Sequence, residues 1–458
     1  MNGAVDGEAS FWCEHAWLGP GPVARGVVVD VADGRFTGVR DGVAEAPRGA
    51  RALPGVTLPG LANAHSHAFH RALRGRAQGA TGCRGRPAGT FWTWRDQMLD
   101  LASRLTPDTY HALARAVFAE MALAGVTTVG EFHYLHDGSN EMGDAVAAAA
   151  RTAGLRITLL DTCYLHGGFD EPKRGAVRRF GDASVDAWAE RADARRRSHA
   201  GNPGVRVGAA IHSVRAVRPE EARVVAAWAS RNAVPLHAHV SEQPAEVDGC
   251  RAAYGTTPVG LLAEAGALGT RFCAVHATHV TSPDLDLLAA SGSAVCLCPT
   301  TERDLGDGVA PARALDDHGV PFCLGTDSHA VVDLFEEARA VELDERLVTG
   351  TRALRPAADL LCAASEAGAT ALGWDDAGRI ERGRRADLVT LSLESVRLAG
   401  APLDALDAGV VFAAAPADVV HVLIDGRVVV EDGHHRLIDD VPGLLSRAVA
   451  DLWGPAGA

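Results

Sequence analysis

The sequence predicts an α/β protein, a distorted (β/α)8 TIM barrel with a small flanking β-sandwich domain built from both termini. The main observation is a series of eight short apolar runs that alternate with segments of helical periodicity. Such alternation is typical of parallel βαβ units, and eight units close into a barrel. A second observation is that both flanks of the series carry short β-type runs and turn residues instead of helices.

Each of the eight runs ends in polar residues. The runs are Val56–His67, Val126–His133, Arg156–Tyr164, Val205–Arg215, Val234–Glu242, Phe272–His279, Ala294–Glu302 and Pro321–His329. The helical segments between them include Pro107–Ala124, Gly143–Ala153, Pro219–Asn232, Pro258–Ala267 and Pro283–Ala290. Because active sites of such barrels form at the carboxyl ends of the strands, these polar residues are the candidate functional groups.

The flanks divide the chain into three predicted parts. Residues 1–55 and 376–440 carry the short β runs, and Asp425-Gly426 between two apolar runs is a hairpin signal. We therefore assign 1–55 plus 376–440 to the small β-domain, 56–375 to the barrel and 441–458 to a C-terminal helical tail.

Composition excludes several classes of function. The 458-residue chain has a net charge of −14 and no basic stripe, so we expect no nucleic-acid partner. No long uninterrupted apolar stretch and no basic leader precede or interrupt the barrel, so we expect no membrane partner. Nine cysteines, most of them within apolar runs, indicate buried reduced thiols and a cytoplasmic protein. An anionic substrate would need a local arginine cluster to offset the acidic charge.

Ligand-type side chains collect at the ends of four of the eight runs. His65 and His67 are two residues apart on a strand and therefore point the same way. His239 follows on the fifth run, with Glu242 three residues later, and the sixth and eighth runs end near His276 and Asp327. Each residue alone has an ordinary explanation as a hydrogen-bonded core or rim group. Together, three imidazoles and a carboxylate are typical of a catalytic zinc site, although iron and manganese accept the same ligands.

Several segments give the chain a resemblance to a known family. They are Ala64-His65-Ser66-His67-Ala68-Phe69-His70-Arg71, Thr90-Phe91-Trp92-Thr93-Trp94-Arg95, Glu131-Phe132-His133-Tyr134-Leu135-His136, Ile211-His212-Ser213-Val214-Arg215 and Cys298-Pro299-Thr300-Thr301-Glu302-Arg303-Asp304. With the histidine and aspartate pattern, they resemble the deaminase branch of the amidohydrolase superfamily, and within it the formimidoylglutamate deiminases, over nearly the whole chain. Nucleobase deaminases of this branch usually carry Ser-Asn where this chain has Thr300-Thr301.

The resemblance implies a role for each matching residue. It makes His65, His67, His239 and Asp327 the ligands of one zinc ion per subunit, and Glu242, His276 and Asp327 the catalytic residues. It makes Arg95, Tyr134, His212 and Arg215 the groups that bind a small dianionic substrate. An arginine matching Arg95 is thought to reach in from a neighbouring subunit, which implies a homodimer. Two-metal relatives bridge their ions with a lysine on the fourth barrel strand, and here the only lysine is Lys173, outside that run.

The implied activity is hydrolysis of N-formimino-L-glutamate to N-formyl-L-glutamate and ammonia, a step of histidine degradation. Arg95 and Arg215 have alternative interpretations, as helix packing and as a surface ion pair. The alternative function is another deaminase or chlorohydrolase of the same superfamily acting on a nucleobase-like or other amidine substrate. A non-catalytic binding barrel is disfavoured, because such proteins typically lose metal ligands.

Overall fold

The computed structural model describes residues 8–78, 90–169 and 171–454. The strands are β1 (Ala9–Ala16), β2 (Ala24–Ala32), β3 (Arg35–Arg40), β4 (Arg51–Pro59), β5 (Leu61–Ser66), β6 (Val126–His133), β7 (Arg156–Cys163), β8 (Val205–Ile211), β9 (Leu236–Val240), β10 (Phe272–His276), β11 (Ala294–Leu297), β12 (Phe322–Leu324), β13 (Leu388–Leu391), β14 (Val419–Ile424), β15 (Arg427–Glu431) and β16 (His434–His435). The helices are α1 (Phe91–Arg104), α2 (Pro107–Leu123), α3 (Glu141–Thr152), α4 (Val185–His199), α5 (Pro219–Asn232), α6 (Pro244–Tyr254), α7 (Pro258–Glu264), α8 (Ser282–Ser291), α9 (Pro299–Leu305), α10 (Ala312–His318), α11 (Leu334–Thr349), α12 (Ala357–Cys362), α13 (Gly368–Ala371), α14 (Leu406–Ala413) and α15 (Val441–Trp453).

Strands β5 to β12 form the predicted barrel. They are parallel and lie in sequence order in one sheet. The first and last strands meet through a parallel bridge between Ser66 and Asp327, where Asp327 N donates to His65 O over 3.0 Å. This contact nearly closes the ring and brings the ends of β5 and β12 together, so the (β/α)8 prediction is confirmed.

Two of the predicted runs change structure within their length. The run Val56–His67 is two strands, because β4 belongs to the flanking sheet and only β5 enters the barrel. The switch occurs at Gly60, whose N–H donates to Asp387 O over 3.1 Å and where a side chain would meet Thr127. The run is buried on both sides of the switch, so apolar character alone gave no sign of the change. The run Ala294–Glu302 ends as a strand at Leu297, since Pro299 at the first helical position begins α9.

The flanking strands form one mixed sheet from both ends of the chain, in the order β16-β15-β14-β13-β4-β1-β2-β3. The β14–β15 hairpin turns at Asp425-Gly426, both with positive φ, as the sequence signal predicted. Arg156 of β7 joins barrel and sheet, because its buried guanidinium pairs with Asp387 and with Asp425, the latter at 2.8 Å. The last helix, α15, packs against α2 of the barrel, and Trp453 Nε1 donates to Ala72 O over 3.0 Å.

The cysteines of the described residues are free thiols, and seven of these eight are buried. Four of them pack together inside the barrel: Cys273, Cys296, Cys298 and Cys323. Cys83 lies outside the described residues. Among the described helices, none has the length and apolar character needed to cross a bilayer.

Candidate metal centre and active site

Four side chains from three strand ends converge at one mouth of the barrel. His65 and His67 come from β5 and the residue after it, His239 from β9, and Asp327 from the loop after β12. His239 Nε2 lies 3.2 Å from His65 Nε2 and 3.4 Å from His67 Nε2. Asp327 Oδ1 lies 3.3 Å from His65 Nε2 and 3.4 Å from His67 Nε2. All four residues are almost fully buried.

The hydrogen bonds of two imidazoles fix which nitrogen faces this cluster. His67 Nδ1 donates to Phe132 O over 2.9 Å, and His239 Nδ1 donates to His212 O over 3.0 Å. Their Nε2 atoms therefore carry lone pairs that point at one another, an arrangement that calls for a cation between them. A tetrahedral zinc site has ligand–ligand edges of about 3.3–3.4 Å when metal–nitrogen distances are about 2.0–2.1 Å. The observed nitrogen and oxygen separations fit that size.

Burial keeps these imidazoles in the neutral form that binds metals. It lowers the pKa of His67 to about 3 and the pKa of His239 well below its usual value. Burial acts to raise the pKa of Asp327, but the hydrogen bond and charge of His65 outweigh it and hold that pKa well below its ordinary range. The cluster thus offers three neutral nitrogens and one anionic oxygen.

Left-handed backbone conformations concentrate around this mouth. Ser241, His276 and Asp327 have φ values of 52°, 71° and 43°. Non-glycine residues rarely adopt such values, and they persist where surrounding contacts impose them, often at functional sites. Here they turn the chain sharply at the strand ends, where His276 Nε2 and Asp327 Oδ2 lie 3.9 Å apart.

His276 and Glu242 lie beside the cluster. His276 Nε2 is 3.8 Å from Glu242 Oε1 and 3.9 Å from Asp327 Oδ2, while its Nδ1 lies 3.4 Å from Glu302 Oε1. Burial acts to lower the pKa of His276, but the charge of Glu242, the hydrogen bond to Glu302 and the charge of Asp327 together raise it to about 10. These groups form a row of proton-carrying atoms next to the predicted metal ligands.

A cavity of about 390 Å³ opens above the cluster. Its lining includes nine of the predicted site residues: His67, His239, Asp327, Glu242, His276, Arg95, Tyr134, His212 and Arg215. The fourth predicted ligand, His65, lies beneath this surface and is fully buried. All predicted site residues therefore belong to one region of a single chain. Arg95 lines the cavity of its own subunit, whereas the resemblance implied an arginine from a neighbouring subunit.

The two arginines are held in different ways. Arg95 stands on the first turns of α1, with its Nη2 3.5 Å from the hydroxyl of Tyr164 and its guanidinium 6.0 Å from the Trp92 ring. Arg215 follows β8, and its guanidinium lies 5.8 Å from the Phe91 ring. Burial acts to lower the pKa of Arg215, but the neighbouring carboxylates, Glu246 first, raise it above its ordinary value. Arg215 therefore remains a cation inside the cavity.

Several residues of the cavity were not among the predicted site residues, and three of them contact the predicted ones. His70 donates or accepts a hydrogen bond at 2.9 Å with the Tyr134 hydroxyl. Tyr164 packs its ring 4.2 Å from the His212 ring, and Glu246 is a buried partner of Arg215. His70 and Tyr164 each lie close to a strand end, which was the available signal. Glu246 lies on a helix, where nothing in the sequence marked it.

Lys173 lies between β7 and α4, away from the fourth barrel strand. Its ammonium donates to the carbonyl oxygens of Asp182 and Tyr164, at 2.8 Å and 3.3 Å. The side chain is thus engaged in holding a loop. Among the described residues, the candidate metal-binding groups of histidine and aspartate share members and surround one position.

Comparison with known proteins agrees with this geometry. The model of the amidohydrolase family matches residues 56–429. The chain belongs to the amidohydrolase family. It is similar to a curated formimidoylglutamate deiminase of Pseudomonas aeruginosa, with 38% identity over 93% of this chain and 96% of that protein.

Solved structures support the same assignment. A crystal structure of an amidohydrolase from Brucella melitensis has a TM-score of 0.89 and 34% identity, covering 97% of this chain and 100% of that one. An adenosine deaminase from Xanthomonas campestris, solved with bound zinc, has a TM-score of 0.82 and 26% identity, covering 97% of both chains. This amidohydrolase is therefore, as predicted, a metal-dependent hydrolase that acts on C–N bonds.

Proposed function

We propose that this amidohydrolase uses one zinc ion to hydrolyse N-formimino-L-glutamate to N-formyl-L-glutamate and ammonia, a step of histidine degradation. The observation that carries the proposal is one cavity with a His/Asp cluster at its floor and two arginines on its wall. The similarity to a formimidoylglutamate deiminase over nearly the whole of both chains supports the choice of substrate.

His65, His67, His239 and Asp327 would hold the zinc ion. When bound, zinc lowers the pKa of a coordinated water toward about 7 and so supplies a nucleophile at neutral pH. Imidazoles and a carboxylate are the donors that zinc takes in catalytic sites, and with four protein ligands a water would be the fifth. Iron or manganese would fit the same donors, so the metal content of the purified protein is part of the test below.

The proton transfers fall to the row of acidic and basic groups beside the ligands. Asp327 accepts the proton of the attacking water, and His276, 3.9 Å from Asp327 Oδ2, orients that water. Glu242 contacts the amidinium nitrogens of the substrate. It receives the water's proton from Asp327 by way of His276 and delivers it to the nitrogen that leaves as ammonia. Glu242 Oε1 lies 3.8 Å from His276 Nε2, so a small movement of either side chain would bring the two atoms to hydrogen-bond distance for proton exchange.

The arginines account for the other end of the substrate. A planar guanidinium matches a carboxylate in a two-point fork, and a glutamate moiety presents two carboxylates. Arg95 and Arg215 would each bind one, while Tyr134 and His212 complete the wall with hydrogen-bonding groups. An uncharged purine or pyrimidine ring offers no carboxylate to either guanidinium, so the two arginines favour a substrate that carries carboxylates.

The remaining expectations complete the proposal. The enzyme would act in the cytoplasm as a homodimer, without nucleic-acid or membrane partners. Sedimentation equilibrium of the purified protein tests the dimer directly. A monomer at micromolar concentration contradicts it and leaves the catalytic proposal in place.

The decisive experiment uses the purified full-length protein. We expect about one zinc ion per chain by elemental analysis, as a site with four protein ligands predicts. We also expect ammonia release from N-formimino-L-glutamate, and none from adenosine, guanine or cytosine under the same conditions. Release from a nucleobase or nucleoside but not from the formimino compound would support the alternative, another deaminase of the family, and would reject this substrate.

A further inference from the structure

Glu246 occupies an unusual position for a glutamate on the first turn of a helix. It lies on α6, four residues after Glu242, and its side chain is fully buried against the cavity wall. A buried carboxylate is costly unless hydrogen bonds and charges compensate it. The two carboxylate oxygens of Glu246 face Ser241 and Arg215, and these two contacts indicate the role of the buried charge.

One oxygen of Glu246 fixes the backbone that carries Glu242. Glu246 Oε1 accepts a hydrogen bond from Ser241 N over 3.1 Å. Ser241 has a φ of 52°, in the left-handed region, and directly precedes Glu242. A strained residue keeps its conformation only where neighbouring contacts impose it, and this hydrogen bond is one such contact.

The other oxygen faces Arg215. Glu246 Oε2 lies 3.3 Å from Arg215 Nε, on one side of the guanidinium, while Glu242 Oε2 lies 3.7 Å from Arg215 Nη2. The Arg215 cation therefore sits between two carboxylates. The pair with Glu246 is an ion pair without hydrogen-bond alignment, since neither Nε nor Oε2 has a hydrogen-bond partner among the described residues. Loss of one carboxylate would draw Arg215 toward the other.

We propose that Glu246 is a positioning residue that fixes the distance between Arg215 and Glu242. The inference rests on the proposed function, in which Arg215 binds a substrate carboxylate and Glu242 serves the reacting amidine carbon. The buried Glu246 side chain contacts Arg215 through one carboxylate oxygen and the turn at Ser241 through the other. It thereby selects substrates whose carboxylate and amidine groups are separated by a set length.

Two substitutions separate the two contacts. Glu246→Gln keeps an amide oxygen to accept from Ser241 N but removes the charge opposite Arg215. Arg215 then moves toward Glu242 and away from the substrate, so we expect KM to rise about tenfold with a smaller fall in kcat. Glu246→Ala also releases Ser241, so we expect kcat to fall about a further tenfold.

Glu342→Gln is a matched control. Glu342 is also fully buried, accepts hydrogen bonds from the backbone N–H groups of Leu354 and Arg355, and pairs with Arg346 Nε at 2.7 Å. It lies on α11, outside the cavity lining. Its variant should lower the melting temperature without changing KM, which is what a purely structural role of Glu246 would also produce.

A double-mutant cycle with Arg215 makes the test independent of stability. If Glu246 acts on KM through Arg215, then Glu246→Gln in an Arg215→Gln background should change KM by less than about twofold. Zinc content and the melting temperature of each variant verify that the folded, loaded enzyme is compared.

The outcomes discriminate between this inference and the function on which it rests. A normal KM in Glu246→Gln, or an equal KM effect with and without Arg215, overturns the positioning role and leaves the proposed function standing. A wild-type enzyme that releases no ammonia from N-formimino-L-glutamate overturns the proposed function, and this inference with it.

Discussion

His65 and His239, 174 residues apart in the chain, face each other with their Nε2 atoms 3.2 Å apart. They come from β5 and β9 of the barrel, whose carboxyl ends open at the same mouth. The Nδ1–H of His239 donates to His212 O, so Nε2, the nitrogen that faces His65, has a lone pair and no proton. The pair is stable in this orientation when a cation lies between the rings.

Loss of one of these imidazoles should therefore empty the metal site. We expect His239→Ala to retain less than about one tenth of the wild-type zinc after dialysis, since a missing ligand lowers metal affinity steeply. His237→Asn is the control, because His237 lies two residues earlier on the same strand, is equally buried and bonds Ala371 O instead. Elemental analysis of both proteins checks the prediction, and equal zinc loss in both would contradict it.

Strand geometry was enough to predict that the ligand-type side chains would meet, whereas the resemblance implied which of them bind the metal. His65 and His67 share a face through the two-residue period of β5, and parallel strands bring their carboxyl ends to one edge. Asp327 was found in the same way, although its strand, β12, has only three residues. The order of the eight barrel strands was also accessible, since alternation with helices leaves few topologies.

Other features depend on contacts that no local pattern records. The change of sheet at Gly60 arises from the close approach of Thr127 and Asp387, which lie far along the chain. Glu246 is an ordinary first-turn acidic residue by helix rules, and its function-related contacts come from Ser241 and Arg215 on other elements. Tyr164 lies directly after a barrel strand, but its contacts with Arg95 and His212 come from other elements.

Glu242→Gln tests the proposed proton carrier. The amide keeps the size of the side chain but cannot deliver a proton, so we expect kcat to fall by about 10²–10⁴-fold with little change in KM. Glu171→Gln is the matched control, because Glu171 also lines the cavity but is exposed at its rim. Steady-state ammonia release from each variant measures the effect, and similar losses in both would argue against a special role for Glu242.

Arg215→Lys tests recognition of the substrate carboxylate. Lysine keeps the charge but loses the planar fork, so we expect KM for N-formimino-L-glutamate to rise about tenfold or more. The substrate without the α-carboxylate, N-formimino-4-aminobutyrate, should discriminate between the two arginines. Arg95→Lys is measured alongside for comparison. The variant whose arginine binds the α-carboxylate should show similar KM values for the two compounds, and the other variant should not. If neither variant distinguishes the compounds, the arginines do not divide the carboxylates between them.

Glu131 predicts a pH dependence of stability. It accepts hydrogen bonds from Ser66 Oγ and Ala68 N, at 2.7 Å and 2.8 Å, and burial raises its pKa from 4.5 to about 7. The folded protein thus keeps a proton that the unfolded chain releases, so this group's contribution to stability is lost as pH rises from 4.5 through about 7. Glu131→Gln cannot ionise. Its free energy of unfolding, relative to wild type, should therefore increase between pH 5 and pH 8 by up to about 3 kcal/mol.

Urea unfolding of both proteins at the two pH values measures this difference. The histidines of the predicted metal site are the same in both proteins, so their contribution to the pH dependence cancels. A difference that stays constant with pH would mean that Glu131 ionises normally inside the fold.

Gly325→Ala tests whether the predicted metal site depends on the close contact between β12 and β5. A Cβ at position 325 would lie 2.7 Å from His65 Cβ and 2.9 Å from His65 N, closer than side chains tolerate. To make room, β12 must move away from β5, which shifts His65 and Asp327 apart. Forcing an extra methyl group into such a contact costs about 1–3 kcal/mol, so we expect a lower melting temperature together with weaker zinc binding.

Gly201→Ala is the control for the loss of a glycine. Gly201 has open space around the position of a Cβ and no left-handed φ, so its substitution should leave both quantities unchanged. Differential scanning calorimetry and competition with a zinc chelator measure stability and affinity. If Gly325→Ala lost stability but bound zinc as tightly as wild type, the contact between the ends of β5 and β12 would stabilise the barrel without setting the ligand geometry.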